Sequence, residues 1–363
     1  MINIDNTQQL LDSQGGDVVI TSIHKFPDQI ASSLSDIIKL DLPTNYSSIK
    51  NIVYCGMGGS RFPGLILYQL YKSSIKVPFE FCDDYILPGS VNQDTLVVLS
   101  SYSGTTEEVL YTAQLAKDKS AKIIGFSVGG PLRDWLENNH YPHYTFDQQF
   151  NPSGQPRMGF GYTMGSMLGI LIKLNLLNFQ TNQVDFVNEI NKDIANLKTI
   201  SKSYDVDVSI QNNLAKQMAT SMKDHYPYLI VSEHLVGVGN CFQNQINETS
   251  KNISSYRVIP ELNHHLMEGL QFPQDHATMA LFVTFYSSLY HERIQKRFSI
   301  TEGVVKQNNI NVIRHNLVSE TMFGQVLELS VFGSYVTMYL AGLYGVDPSK
   351  VPYVDYFKAQ LKK

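Results

Sequence analysis

The sequence predicts an α/β protein with two parallel sheets, each flanked by helices, and three observations lead there. Apolar runs of strand length break into small-residue loops at NIVYCGMGG (51–59), TLVVLSSYSG (95–104) and KIIGFSVGG (122–130). Helix-compatible sequence follows, as in TTEEVLYTAQLAKD (105–118), and strands alternating with helices imply a parallel, doubly covered sheet. A second series of strand-like runs comes later: YLIVSE (228–233), SYRVIPE (255–261), TMALFVTFY (278–286) and NVIRH (311–315). The chain of 363 residues has the length for two such domains. The resulting parse is a first domain with an N-terminal helical extension over 1–185, a polar, helix-prone connector over 186–213, and a second domain with a C-terminal tail over 214–363.

Two helices stand out beside the strands. MGFGYTMGSMLGILI (158–172) is apolar but shorter than the roughly 20 residues that span a bilayer, so it reads as a buried helix packed closely on a neighbour. GQVLELSVFGSYVTMYLAGLYG (324–345) has helical periodicity and ends at a glycine, a usual helix stop. Composition narrows the function classes. A net charge of −5 without a clustered basic face argues against a nucleic-acid partner. Cys55, Cys82 and Cys241 are too scattered for a disulfide framework or a CxxC knuckle and read as reduced thiols of a cytoplasmic protein. The N-terminus lacks the basic and apolar regions of a secretory signal, and no membrane association is expected.

In a parallel sheet, ligands bind beyond the carboxyl ends of the strands, where the three small-residue loops fall. SSYSGTTEEVL (100–110) is the most informative of them. Ser101, Ser103 and Thr106 supply hydroxyls, Gly104 admits close backbone approach, and the following helix directs its free N–H groups to the same spot. That describes a phosphate site; the alternative is an ordinary capping box, with a hydroxyl residue followed by glutamate. The loop GMGGS (56–60), with Gly59 and Ser60, converges on the same face and favours the phosphate reading. It lacks the Walker lysine and the full dinucleotide fingerprint, which disfavours NTP and NAD. Arg157, in PSGQPRMGFGY (152–162), either offsets negative charge on a ligand or forms a surface ion pair. Glu248, in NQINETSKN (244–252), is a candidate base or part of a solvated helix face. His264, His265 and Glu268 lack HExxH-type spacing, so no metal site is expected.

Taken together, GMGGS (56–60), LPGSVNQDTLVVLSSYSGTTEE (87–108), SVGGPL (127–132), GQPRMGFGY (154–162), NQINETSK (244–251), PELNHHLMEG (260–269) and GSYVTMYLAGLYGVDPSKVPYVDYFKAQL (333–361) resemble the sugar isomerase (SIS) domain family. More narrowly, the chain resembles the bifunctional phosphoglucose/phosphomannose isomerases. The resemblance implies two SIS subdomains and a homodimer whose active sites are shared between subunits. It also implies an aldose–ketose isomerase that interconverts glucose 6-phosphate or mannose 6-phosphate with fructose 6-phosphate. Carried over position by position, Gly59, Ser60, Ser101, Ser103 and Thr106 resemble the phosphate cradle. Arg157 resembles the group that stabilises the enediolate, Glu248 the base that moves a proton between C2 and C1, and His264 the ring-opening histidine contributed by the neighbouring subunit. Lys358 matches a C-terminal lysine near the sugar.

These residue types suit the reaction. Histidine titrates near neutrality, glutamate is a carboxylate at working pH, and arginine keeps its charge as an oxyanion develops. A cis-enediol proton transfer needs neither metal nor nicotinamide, so no cofactor is expected. Two departures from the family pattern are Arg61, where small or apolar residues are usual, and His265 after His264. A non-catalytic sugar-phosphate sensor and an SIS isomerase of another ketose phosphate are the alternatives.

Overall fold

A computed structural model of the chain describes residues 2–361. It contains two parallel sheets in two compact units. The first unit, Lys25–Ala195, holds strands β1 (Asn51–Cys55), β2 (Phe79–Cys82), β3 (Thr95–Ser100), β4 (Lys122–Ser127) and β5 (His143–Thr145), ordered β2-β1-β3-β4-β5. β1, β3 and β4 are buried along their whole length, which is why they read as continuous apolar runs. Because all pairings are parallel, the loops after β1, β3 and β4 leave from one edge of the sheet. The chain order reverses between β1 and β3, so the loops Gly56–Ser60 and Ser101–Thr106 flank the crevice where such sheets take ligands.

The apolar stretch near residue 160 is the buried helix Phe160–Lys173, packed on the helix Phe26–Lys39. Its small residues explain the closeness. A β-carbon on Gly165 would come within 2.4 Å of the Ile30 carbonyl oxygen, and one on Gly169 within 2.7 Å of the Ile37 side chain.

The second unit joins the residues before Lys25 to those from Asn196 onward. Its strands are β6 (Tyr226–Val231), β7 (Ser255–Val258), β8 (Ala280–Tyr286) and β9 (Asn311–Asn316), ordered β7-β6-β8-β9 and all parallel. The compact units thus divide differently from the linear parse. The N-terminal segment packs within the second unit: Ile2 N–H donates to the Gly342 carbonyl (3.0 Å), and buried Lys216 reaches Asp5 (3.2 Å) and the Val206 carbonyl (2.9 Å). The polar connector is α-helical as far as Lys202, in the helix Gln183–Lys202, and passes through turns and the 3-10 helix Ile210–Asn212 beyond it; the division falls within the α-helix. Met322–Tyr344 is long and apolar enough to cross a membrane, yet 94% of its most apolar window is buried inside the chain, as for a core helix. It ends at Gly345 in the left-handed region (φ 68°).

Two buried histidines set a pH dependence in this unit. Burial lowers His234 to about 4 despite its 2.9 Å bond to Gln325 Oε1. Burial also lowers His315, stacked 4.0 Å from the Phe332 ring, to about 4. Both fold as neutral imidazoles, so below the ordinary histidine range the unfolded chain binds more protons and stability falls as pH drops from about 6.5 toward 4. Glu328, raised by burial, opposes this over part of the window, and two histidines outweigh one carboxylate. The melting temperature is expected to fall steadily from pH 7 to pH 4.5, with a shallower slope in His315→Gln; an unchanged slope in that variant would count against the assignment.

Candidate active site

The first unit carries the Gly-rich and hydroxyl-rich loops. After β1 the chain passes through Gly58 (φ 48°) into a short 3-10 turn, Gly58–Ser60, ahead of the helix Phe62–Tyr71. The Ser60 carbonyl accepts from Tyr54 Oη (2.9 Å) and Ser100 Oγ (3.0 Å), so neighbouring strands fix this turn. Ser60 Oγ accepts from the Tyr102 N–H (2.8 Å). That leaves the hydroxyl proton of Ser60 as the group it can offer to a ligand.

The serine loop is equally constrained. The Ser101 and Thr106 hydroxyls share a 2.7 Å bond, and Thr106 N–H approaches Ser101 Oγ at 3.3 Å. Ser103 is exposed, its hydroxyl 2.8 Å from that of Thr105. Gly104 sits at φ 70°, and a β-carbon there would fall 1.8 Å from the Gly129 carbonyl oxygen. The loop after β4 therefore presses directly on the serine loop. Thr106 occupies the N-cap position of the helix Glu107–Asp118, but its side chain makes no capping bond. The capping-box reading thus fails in its defining contact, and the helix start keeps N–H groups for an anion.

The arginine loop closes against the first of these. A β-carbon on Gly59 would meet the Pro156 carbonyl carbon at 2.7 Å and Arg157 N at 2.8 Å, so only glycine allows the two backbones this close. Arg157 is 1% exposed, and its Nη1 donates to Gln155 Oε1 (2.9 Å). Its side chain is therefore not on the surface. Burying a guanidinium is costly unless partners or a ligand compensate its charge.

Arg61, one of the two departures from the family pattern, turns toward the end of β2. Its Nε pairs with Asp83 (2.8 Å) and its guanidinium lies 5.1 Å from the centre of the Phe81 ring.

In the second unit Glu248 lies in a π-helical turn, Ile246–Ser250, that continues the helix Val236–Gln245. Single π-turns recur at functional positions because they displace a side chain from the regular helical path. Glu248 is half-buried; burial chiefly, then the nearby Glu248 charge, pushes the Cys241 thiol up. The turn is held from both sides. Asn247 Oδ1 accepts from Ser254 N–H (3.0 Å), and Lys251, at φ 57°, directs its ammonium to the carbonyls of Glu248 (2.9 Å) and Lys350 (2.8 Å).

His264 ends the 3-10 turn Glu261–His264. Leu262 buries beneath it, and Asn263 donates to Thr301 Oγ1 (2.8 Å) and accepts from Arg297 Nη1 (3.2 Å). With those two anchored, both His264 and His265 are exposed. Lys358 is exposed on the helix Pro352–Leu361. Among the described residues, no three His, Cys, Asp or Glu side chains are grouped to hold a metal ion.

The two sheets are not equivalent at their strand ends. Beyond β6 the second unit places Glu233, whose carboxylate accepts from the His291 N–H (3.1 Å) at the start of the helix Glu292–Gln307. A helix start that holds the chain's own carboxylate is not open to a phosphate in the same way. The structure thus gathers Gly59, Ser60, Ser101, Ser103, Thr106 and Arg157 in the first unit and places Glu248, His264 and Lys358 on the second. Sequence reasoning missed Asn151, which is fully buried and bonds both Tyr102 and Gln155. In QQFNPSGQPR it looks like any loop asparagine.

Comparison with known proteins gives a consistent picture. Residues 45–132 match the SIS domain, and residues 211–361 match the bacterial phospho-glucose isomerase C-terminal SIS domain. A bifunctional phosphoglucose/phosphomannose isomerase of Caldicellulosiruptor bescii is 30% identical over 342 residues, covering 94% of this chain and 98% of that protein. One from Aquifex aeolicus is 26% identical, covering 89% and 94%. A crystal structure of a hypothetical protein from Thermus thermophilus superposes with a TM-score of 0.74 at 15% identity, covering 98% of this chain and 92% of that one, a likeness of fold.

Proposed function

The chain belongs to the bifunctional phosphoglucose/phosphomannose isomerase family, and from that membership we propose that it interconverts fructose 6-phosphate with glucose 6-phosphate and mannose 6-phosphate. The observation that carries this reading is the close approach of the Gly59–Ser60 turn to the backbone of Pro156 and Arg157, which joins the loop that carries a buried, permanent cation to the turn that carries a hydroxyl suited to a phosphate. A sensor needs the hydroxyls alone; a guanidinium at a developing oxyanion serves a reaction.

In the proposed mechanism Ser60, Ser101, Ser103 and Thr106, with the Gly59 backbone, hold the phosphate. His264 opens the sugar ring, Glu248 carries the proton between C2 and C1, and Arg157 stabilises the enediolate. Lys358 contacts the sugar. Return of the proton to either face of C2 yields either aldose. No metal or nicotinamide enters these steps.

The working form is a homodimer in which His264 serves the neighbouring subunit. Support comes from the exposure of His264 and from the C-terminal helix, which leaves Tyr353 (86% exposed), Tyr356 and Phe357 uncovered in the single chain. Free, buried Cys55, Cys82 and Cys241 fit the reducing cytoplasm. The expected place of the enzyme is the interconversion of hexose phosphates in glycolysis and gluconeogenesis.

Purified protein incubated with fructose 6-phosphate is expected to form both aldose phosphates at equal rates with and without EDTA. Absence of either product would sink the dual specificity, absence of both the isomerase reading, and inhibition by EDTA the metal-free mechanism.

A further inference from the structure

We propose that Tyr102 and Asn151 are positioning residues which, through Gln155, hold the Arg157 guanidinium in register with the phosphate-binding turn. This rests on the reading above that Arg157 faces the enediolate.

The chain of contacts runs from one functional group to the other within the first unit. Tyr102 lies between Ser101 and Ser103, yet its ring turns inward and only 3% of the residue is exposed. Its N–H orients the Ser60 hydroxyl (2.8 Å), and its phenol oxygen accepts from Asn151 Nδ2 (2.6 Å). The same amide nitrogen donates to the Gln155 carbonyl (3.0 Å), while Asn151 Oδ1 accepts from Ser153 Oγ (2.6 Å). Gln155 Oε1 then accepts from Arg157 Nη1 (2.9 Å). The side-chain amide of Asn151 therefore fixes the backbone and hydroxyl of the turn that presents Gln155.

Packing locks the same path. A β-carbon on Gly159 would fall 2.3 Å from the Tyr102 ring and 2.5 Å from Asn151 Nδ2, so glycine lets the start of the helix Phe160–Lys173 close onto both. Phe146 meets the Tyr102 ring edge-on at 5.4 Å and stacks on Tyr162 at 4.6 Å. A network enclosed in this way is rigid, because each unmade bond would strand a buried polar group. Rigidity matters most at the cation. A guanidinium stabilises a transient oxyanion only where its donors already stand at the oxygen's position, and a displacement of about 1 Å costs on the order of a hundredfold in rate.

The test measures kcat and KM for fructose 6-phosphate, with melting temperature, in wild type, Tyr102→Phe, Gln155→Met and Gln155→Glu. Tyr102→Phe and Gln155→Met are expected to lower kcat about tenfold while KM stays within about twofold, since the phosphate hydroxyls are untouched. Gln155→Glu restores an oxygen acceptor to Arg157 and is expected to return kcat to within about threefold of wild type. Gln155 is only half-buried, so its variants test the path even where Tyr102→Phe fails to fold. Unchanged kcat in a folded Tyr102→Phe or in Gln155→Met, or no recovery in Gln155→Glu, would overturn the proposal while an active wild type left the isomerase reading standing. An inactive wild type would sink that reading and this proposal with it.

Discussion

Glu248→Gln is expected to lower kcat by about three orders of magnitude while leaving KM for fructose 6-phosphate within about threefold, in the range assigned to general acid–base groups. The substitution keeps the shape of the side chain and removes its negative charge and its ability to accept a proton. It should also leave the fold intact. The π-helical turn that presents Glu248 is held by Asn247 and by the Lys251 ammonium on backbone carbonyls, and glutamine keeps the length and the oxygen acceptor of the side chain. The informative measurement pairs kinetics with exchange of the C2 proton of glucose 6-phosphate into deuterated water, followed by NMR. Loss of turnover together with loss of exchange fits the assigned base. Wild-type exchange in the variant would move the proton transfer to another residue.

Gly104→Ala is expected to have an effect of similar size for a different reason. The left-handed φ of 70° disfavours any β-carbon, and the carbonyl oxygen of Gly129 stands 1.8 Å from where it would be. That neighbour is backbone, so it cannot swing aside. It belongs to a loop tied to the serine loop by Val128 N–H on the Tyr102 carbonyl (2.9 Å) and Leu132 N–H on the Gly104 carbonyl (3.0 Å). Backbone strain and overpacking together are worth about 2–5 kcal/mol. The loop must open to relieve them, which separates Ser101 from Thr106. The expected result is a lower melting temperature and a rise in KM of at least about tenfold. A variant with wild-type KM would show that the serine loop does not hold the phosphate.

Those two substitutions also mark how far the sequence was legible. The hydroxyls and Gly104 were readable because a phosphate loop is local: a strand end, a glycine and a helix start within ten residues. The central strands were readable because both faces are buried, leaving unbroken apolar runs at 51–55, 95–100 and 122–127. The edge strands β2 and β5 escaped, being short and largely half-buried, so their sequences FEFC and HYT lack that signature. Glu248 illustrates the opposite limit. Its neighbours look like a solvated helix face, and only the folded chain reveals a π-turn that carries the carboxylate half into the interior.

Sequence by itself determined the α/β class, the order of the central strands and the helices that follow them, and the residue types at the strand ends, because periodicity and glycine placement act over a few neighbouring residues. Tertiary structure decided what depends on contacts distant in the chain. It put Pro156 and Arg157 against Gly59, joined Tyr102 to Asn151, and paired Arg61 with Asp83. It also packed the N-terminal segment with the C-terminal half. Such contacts form only when the sheets and helices close on one another, and no local pattern records which loops will then meet.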